Sequence, residues 1–427
     1  MTDSSNIAKI LAKKHPVFVI HTPTVEFNEK YVSIQHKFTA TGSLIYLPST
    51  KIFGDSSGKE NIIKRLSIIL TLVEALSYWK ASYSPKIVIE PKTSESSIRW
   101  LEDLLLNGMM EYKYINNLSA QFIPEIQWEE DNKIIGLSKS KDSTPLVLVS
   151  GGKDSTITLS ILSKHERLKA FVLNCLPSAE RVLKAFPEHE VVRGVRNIDP
   201  VLFELNKKGY LNGHTPFSAL LSVISTIAAV LSDSTSIITS NEASAEVSFA
   251  KYCGINVNHQ YSKSSQYENK FNNLINNTFF GLPPLFSFLR PLSEPQICLL
   301  LSNKKELISL ISSCNKNQLS GSWCGKCPKC ISTWILLRPY IDENELIKLF
   351  GSNALEEGKH LLPALLGKTE CRPLECVGTP EELDASLRFV AGNSEPLNSL
   401  LSRFPPHLLP NKYEHILKKA LEEVINV

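Results

Sequence analysis

The sequence predicts an α/β protein in which a parallel sheet is covered by helices, with an α+β domain before it and a helical C-terminal region after it. Three observations carry this reading. Short β-type runs cluster ahead of one long helical pattern near the N-terminus; strands alternate with helices after residue 145; and beyond Cys330 the patterns are helical.

In the first segment, Val17-Phe18-Val19-Ile20, Lys37-Phe38-Thr39 and Leu44-Ile45-Tyr46 read as strands. Ile62 to Tyr78 places apolar residues at helical spacing, and Ser94 to Leu106 fits a second helix. The polar run Lys139-Ser140-Lys141-Asp142-Ser143-Thr144-Pro145 breaks the pattern, so a first domain is predicted over 1–144. A second, over 145–331, contains the strand Leu146 to Val149, the strand Ala170 to Leu173, a long helix from Pro216 to about Ser232 and the strand Ser236 to Thr239. The third region, 332–427, reads as helices at Ser332 to Leu337, Glu343 to Phe350, Pro380 to Phe389 and Tyr413 to Ile425, with Pro and Gly at the joins.

Composition bounds the function. A chain of 427 residues, 43% hydrophobic and 21% charged, can build two or three domains with apolar cores. Its 46 basic and 43 acidic residues leave a net charge of +3 without a run that reads as a nucleic-acid arm. Met1 to Lys14 carries Asp3, Lys9, Lys13 and Lys14 and lacks the apolar core of a secretion leader. Phe217 to Leu231 is interrupted by Ser218, Ser222, Ser225 and Thr226 and is shorter than the roughly 20 residues a bilayer demands. Nine cysteines, three of them crowded together, suit metal ligation in a reducing compartment better than a disulfide framework. The expectation is a cytoplasmic protein with no membrane or nucleic-acid partner.

The strand Leu146 to Val149 runs directly into Ser150-Gly151-Gly152-Lys153-Asp154-Ser155, after which a helix-compatible stretch begins. Two glycines allow the backbone to approach oxyanions, and the following helix N-terminus supplies N–H groups and a favourable dipole. Lys153 adds positive charge, Ser150 and Ser155 add hydroxyls, and Asp154 is a candidate for orienting the loop or a metal. The spacing is neither that of the Walker loop nor that of the dinucleotide fingerprint. It resembles the pyrophosphatase loop (PP-loop) of the N-type ATP pyrophosphatases, which implies a sheet of the adenine nucleotide α-hydrolase type, ATP cleaved between its α and β phosphates, and assistance from Mg²⁺.

Cys324, Cys327 and Cys330 stand at spacings that wrap one tetrahedral ion, and Cys314, ten positions upstream of Cys324, is placed to supply the fourth ligand. Zn²⁺ is the expected occupant, in a closed and therefore structural site, with an iron–sulfur cluster as the rival. Ser240, Asn241 and Glu242 follow a predicted strand, where open α/β sheets bind ligands. Glu242 is a candidate for Mg²⁺ or ribose, and Asn241 for the nucleotide or a helix cap. His214, in Gly213-His214-Thr215-Pro216, is expected near the nucleotide. Arg290 is a candidate for phosphate or carboxylate.

Loop and cysteines together resemble the deazaguanine nitrile synthases. A larger set of segments resembles the UDP-N-acetylmuramoyl-L-alanyl-L-glutamate epimerases: Asn241-Glu242, Val257-Asn258-His259-Gln260-Tyr261-Ser262-Lys263-Ser264, Leu289-Arg290-Pro291-Leu292-Ser293-Glu294, Ser313-Cys314-Asn315, Trp323-Cys324-Gly325 and Glu375-Cys376-Val377-Gly378. This resemblance runs from about Leu146 to Gly378, and departs from the family pattern at Ala243 and Cys371. It implies an ATP- and Mg²⁺-dependent inversion of the terminal glutamate of a UDP-sugar dipeptide, with release of AMP and pyrophosphate. It also implies that the N-terminal domain helps to hold that substrate. Inversion requires acid–base groups on opposite faces of the α-carbon, for which His259, Tyr261, Lys263 and Cys376 are the candidates. The rival readings are an ammonia-consuming amide- or nitrile-forming ligase and a protein that binds ATP without turnover.

Overall fold

A computed structural model describes residues 4–137 and 144–425. Most of the polar break at Lys139 to Pro145 lies outside the described residues; the described chain resumes at Thr144, where the second compact unit begins, one residue before the predicted boundary. The chain forms two compact units. One gathers the described residues up to 137 with Val192–Thr235 and Lys251–Pro284; the other gathers Thr144–Val191, Ser236–Ala250 and 285–425. They are called unit 1 and unit 2 below. Two stretches of the region 145–331 therefore pack with the N-terminal residues.

Unit 1 is organised by the 23-residue helix Glu60–Ser82. Its apolar residues run nearly all round the cylinder, and such a helix is stable only when enclosed; from Leu70 to Ser82 every residue is buried. It packs against the strand Val17–Ile20 and the helix Phe217–Leu231. One sheet has the order Leu44–Tyr46, Phe38–Ala40, Val17–Ile20, Lys86–Ile89, Glu125–Gln127, the last three strands being parallel. Alternate residues of Val17–Ile20 and Lys86–Ile89 are buried, as expected of strands with one face on a core. Thr24–Phe27, Tyr31–Gln35 and Ser49–Phe53 form an antiparallel set that Gly194 to Asn197 extends.

Burying that helix also buries polar groups, and each is answered locally. Glu74, fully enclosed, receives both arms of Arg196 at 2.8 Å, the bidentate geometry that compensates a desolvated carboxylate. His36 is fully enclosed with its Nδ1 2.8 Å from the Thr71 hydroxyl. Burial drives its pKa down from 6.5 to about 4, only partly opposed by Glu74.

In unit 2 four parallel strands run in the order Leu285–Ser287, Ile237–Thr239, Leu146–Leu148, Lys169–Leu173. Leu146–Leu148 is buried along its whole length, which explains its unbroken apolar character. The C-terminal helices belong to this unit and do not form a separate body. Asn411–Ile425 packs on the helices Lys153–Leu162 and Glu294–Ser302, and the Tyr413 ring lies 4.9 Å from that of Phe286. Leu383, Ile416, Leu417 and Leu421 join the main core of the unit, while Ala385, Leu397 and Leu400 form a small cluster beside it. Among the described residues no helix is long and apolar enough to cross a membrane.

His36 makes unit 1 sensitive to acid. The unfolded chain takes up a proton near pH 6.5 and the folded chain only near pH 4, so stability is fully present above 6.5 and is lost as pH falls towards 4. The loss between pH 7 and pH 5 should be about 2 kcal/mol from this group. Urea unfolding across that interval should show a steep decline in the native protein and a shallower one in His36→Asn; equal slopes would remove the assignment.

Candidate functional site

The strand Leu146–Leu148 ends at the glycine pair because nothing larger than glycine fits there. Gly151 has φ +78°, and a Cβ on it would lie 2.2 Å from the Ala179 nitrogen and 2.4 Å from the Ser178 carbonyl carbon. Gly152, immediately before the helix Lys153–Leu162, faces the Ser313 hydroxyl. No side chain caps the first turn of this ten-residue helix, so its N-terminal amides and dipole are presented at the loop. The Ser150 amide donates to the Ser155 hydroxyl at 3.2 Å, and Thr156 donates to the Gly152 carbonyl at 2.8 Å, which fixes the loop on the helix. The arrangement suits an anion such as a phosphate.

Position in the sheet reinforces this. From Leu146–Leu148 the chain proceeds to Lys169–Leu173 on one side, and later returns as Ile237–Thr239 on the other. The order of winding reverses between Leu146–Leu148 and Ile237–Thr239, and open α/β sheets bind ligands beyond the carboxyl ends of the strands at such a reversal. Ser150–Gly152 and Ser240–Glu242 follow those two strands. Asn241 donates to the Thr239 hydroxyl at 3.3 Å, and its carbonyl accepts from Ser287 at 2.7 Å. Glu242 is buried and accepts from Ser244 at 3.1 Å. Arg290, also buried, bridges to Glu246 at 3.1 Å and reaches the Glu242 carbonyl.

Lys153 does not extend into solvent. Its ammonium is 3% exposed as a residue and pairs with both Asp154 and Glu294. Burial works to discharge it, but the charges of Asp154, Glu294 and Glu242 outweigh burial and hold it protonated. Glu294 is pushed up to about 8 by its own burial and by Asp154, Glu242 and Glu382, against the pull of Lys153. Glu294, which the sequence reading quoted without a role, and Glu382, which it did not name, thus complete a cluster of carboxyl groups beside one lysine. Ser293, which caps the helix Glu294–Ser302 with Gln296, was the available signal for the first of them.

The four predicted cysteines converge. Cys314 to Cys327 is 4.0 Å between sulfurs, Cys324 to Cys330 is 3.7 Å and Cys327 to Cys330 is 3.5 Å. A tetrahedral Zn²⁺ with Zn–S bonds of about 2.3 Å has S···S edges of about 3.8 Å, so the donor set fits. These separations are far longer than a disulfide bond of about 2.05 Å. Backbone amides of Asn317 and Lys326 donate to Cys314 and Cys324, Gly325 turns at φ +68°, and Cys327 caps the helix Pro328–Leu337. The nest also braces the glycine loop: the Ser312 amide donates to the Gly151 carbonyl at 3.0 Å, two residues before Cys314. Arg181 holds the same segment through the carbonyls of Leu310 and Gly321. Glu375, beside the half-buried Cys376, accepts from Asn315 at 2.8 Å.

His214, His259, Tyr261 and Lys263 all belong to unit 1. His214, expected at the nucleotide, lies against His259 with ring centroids 4.4 Å apart and the planes tilted by 45°. His259 Nδ1 lies 2.5 Å from Glu111, a residue that nothing in the sequence singles out. Tyr261 donates to Asp103 at 2.6 Å, and burial together with Asp103 pushes its phenol well above the usual range, which removes it as a base near neutrality. Lys263 donates to Gln260 at 3.2 Å. Asp103 and Glu111 flank a π-helical turn, Leu104–Gly108, between the helices Glu95–Asp103 and Met110–Ile115. Such turns are common at functional sites, and their wider hydrogen-bonding leaves no pattern in the sequence.

Comparison with known proteins finds matches along most of the chain. A family model for the MurL N-terminal domain matches residues 11–288, and one for the MurL C-terminal domain matches 310–403. A protein of Salinispora tropica named UDP-N-acetyl-alpha-D-muramoyl-L-alanyl-L-glutamate epimerase is 30% identical over 344 residues, covering 77% of this chain and 74% of the relative. The protein of the same name in Xanthomonas oryzae pv. oryzae is 30% identical over 364 residues, covering 80% and 79%. No solved structure matches the chain.

Gly151 offers a test of the loop's packing. Gly151→Ala combines a left-handed backbone with a backbone collision, and should destabilise by about 2–4 kcal/mol in urea unfolding. Ser313→Ala should stay within about 0.5 kcal/mol as a control. A Gly151→Ala protein as stable as the parent would contradict the close approach.

Proposed function

This chain belongs to the MurL epimerase family, and on that premise we propose that it inverts the terminal L-glutamate of UDP-N-acetylmuramoyl-L-Ala-L-Glu to D-glutamate at the expense of ATP. The observation that carries the reading is the match of both MurL domain models, together covering residues 11–288 and 310–403, to a chain whose glycine loop stands at the reversal point of a parallel sheet. The reaction serves the synthesis of peptidoglycan precursors in the cytoplasm, and its substrate is a small molecule.

The chemistry explains why ATP is consumed. Removing the α-proton of a free carboxylate places a carbanion beside negative charge. Converting the carboxylate to an acyl-adenylate removes that charge and lets the electron pair delocalise into the carbonyl. The amides of Gly151, Gly152 and the first turn of Lys153–Leu162 hold the triphosphate; the carboxylate attacks the α-phosphorus and pyrophosphate leaves. Lys153, neutralised by Asp154 and Glu294, anchors the loop and does not act as a free phosphate clamp. Where Mg²⁺ accompanies the triphosphate, Asp154 and Glu242 are the hard oxygen donors of this region, and the ion would offset phosphate charge. After proton exchange at the α-carbon, water cleaves the anhydride to release AMP. The four thiols hold Zn²⁺ in a closed structural role, keeping the Ser312–Cys314 segment against the loop.

Two measurements test this. Incubation with ATP, Mg²⁺ and the UDP-sugar dipeptide in deuterated water should yield AMP, D-glutamate and α-deuterium together, and none of them without ATP. AMP without inversion would point to a different acceptor, and no AMP would remove the reading. Elemental analysis should find about one zinc ion per chain, largely lost in Cys327→Ser with a lower unfolding temperature. Full zinc content in both Cys327→Ser and Cys330→Ser would exclude the nest as its site.

A further inference from the structure

We infer that Glu111, His214 and His259 form the proton-transfer site for one face of a carbon acid, with His259 as the proton carrier and Glu111 as its positioning residue. The inference rests on the epimerase reading and names the residues of a step which that reading leaves unassigned.

Ligand atoms of the three side chains all lie within 4.8 Å of one another. The Glu111 carboxylate accepts from Nδ1 of His259 at 2.5 Å, and this fixes the tautomer: the proton sits on Nδ1, and Nε2 carries the lone pair that removes a proton. The carboxylate also stabilises the imidazolium that results. Glu111 is itself buried and held on the short helix after the π-helical turn, so the dyad is anchored on a rigid element. His214 serves differently. Its pKa is driven down to about 3 by burial, by His259 and by the charges of Lys80 and Lys263, so it stays neutral through the physiological range and forms a wall against the His259 ring.

The same charges decide between two uses of a two-histidine, one-carboxylate cluster. Such a set can ligate a divalent transition metal. Here Lys80, whose ammonium donates to the Gly213 carbonyl at 2.7 Å beside His214, and Lys263 both place positive charge near His214. Their field opposes a cation and attracts an anion. Gln260 is 1% exposed, its Oε1 accepts from Lys263, and its Nε2 has no hydrogen-bond partner. A buried amide donor without a partner costs free energy unless a ligand satisfies it. A substrate carboxylate or carbonyl is the group that Gln260 and Lys263 together suit.

Geometry also limits the role to one face. A carbon flanked by two proton carriers, each about 3–3.5 Å away, needs them about 6–7 Å apart. His214 and His259, with centroids 4.4 Å apart, stand on the same side of any substrate carbon. The Cα–H bond breaks, its electron pair passes into the activated carbonyl, and the proton passes to Nε2 of His259. The opposite face is served by another group.

The test compares the native protein with His259→Asn and Glu111→Gln in two assays. ATP–pyrophosphate exchange with the UDP-sugar dipeptide reads activation alone. Deuterium incorporation at the α-carbon, started separately from the L-Glu and the D-Glu epimers, reads proton transfer on each face. His259→Asn should keep pyrophosphate exchange within about two-fold, lose inversion, and lose about 100-fold or more of exchange from one epimer only. Glu111→Gln should lower kcat with little change in KM, and should move the rising limb of the pH profile to lower pH, because the imidazolium loses its carboxylate. Exchange from both epimers unaffected in His259→Asn would overturn the inference. So would a divalent metal, beyond that of the four cysteines, that the native protein binds and His259→Asn does not. A native protein showing neither pyrophosphate exchange nor inversion would instead remove the epimerase reading, before any variant is compared.

Discussion

The close approach of Gly151 to the Ser178–Ala179 backbone sets the geometry of unit 2 around its loop. The turn must be left-handed to send the chain from the strand Leu146–Leu148 into the helix Lys153–Leu162, and it must be bare to pass the start of the helix Pro177–Lys184. Once the loop is pressed there, its carbonyl is available to Ser312, and the segment that leads into the thiol nest is tied to it. Arg181, on the helix that crowds Gly151, fastens the other end of that segment through Leu310 and Gly321. Loop, helix and cysteine segment are thus one mechanical assembly, although their residues come from well-separated parts of the sequence.

Charge is handled in the two units by opposite means. Around Lys153 several carboxylates share one buried ammonium, an arrangement with an excess of negative charge that a divalent cation can balance. Around His214 positive charge is brought in by Lys80 and Lys263, with Glu111 paired to His259. The first environment suits a magnesium-bound polyphosphate and the second an organic carboxylate, so the polarity of each place matches the part of an adenylation–epimerisation reaction proposed for it.

Much of this was legible in the sequence, and the exceptions have physical causes. The Gly151-Gly152 loop and the cysteine spacing are local, because a turn and a knuckle are determined by residues a few positions apart. The strands Val17–Ile20 and Leu44–Tyr46 and the helix over Glu343–Phe350 follow from periodicity alone. The antiparallel pairing of Gly194 to Asn197 with Ser49 to Ile52 joins residues about 145 positions apart, and no local pattern announces it. Glu111 resembles any surface acid until the π-helical turn aims it at His259, and the mixed membership of unit 1 is visible only once contacts are formed. His214 reads in the sequence as a loop residue near the nucleotide, and the structure sets it beside His259, a neighbour that a loop's chemistry does not specify.

The interleaving of the two units bears on how the chain is made. It passes from one unit to the other five times, so no single cut separates them. During translation at roughly 5–20 residues per second, the N-terminal segment waits roughly 7–30 s between the emergence of residue 137 and that of Pro284, the last residue of its own unit. For roughly 5–19 s of that interval, until Leu231 has emerged, the apolar helix Glu60–Ser82 lacks the helix Phe217–Leu231 for part of its cover. The nascent chain therefore carries uncovered apolar surface for part of its synthesis, and a truncated product from a premature stop would be a sticky half-unit in place of a smaller folded domain.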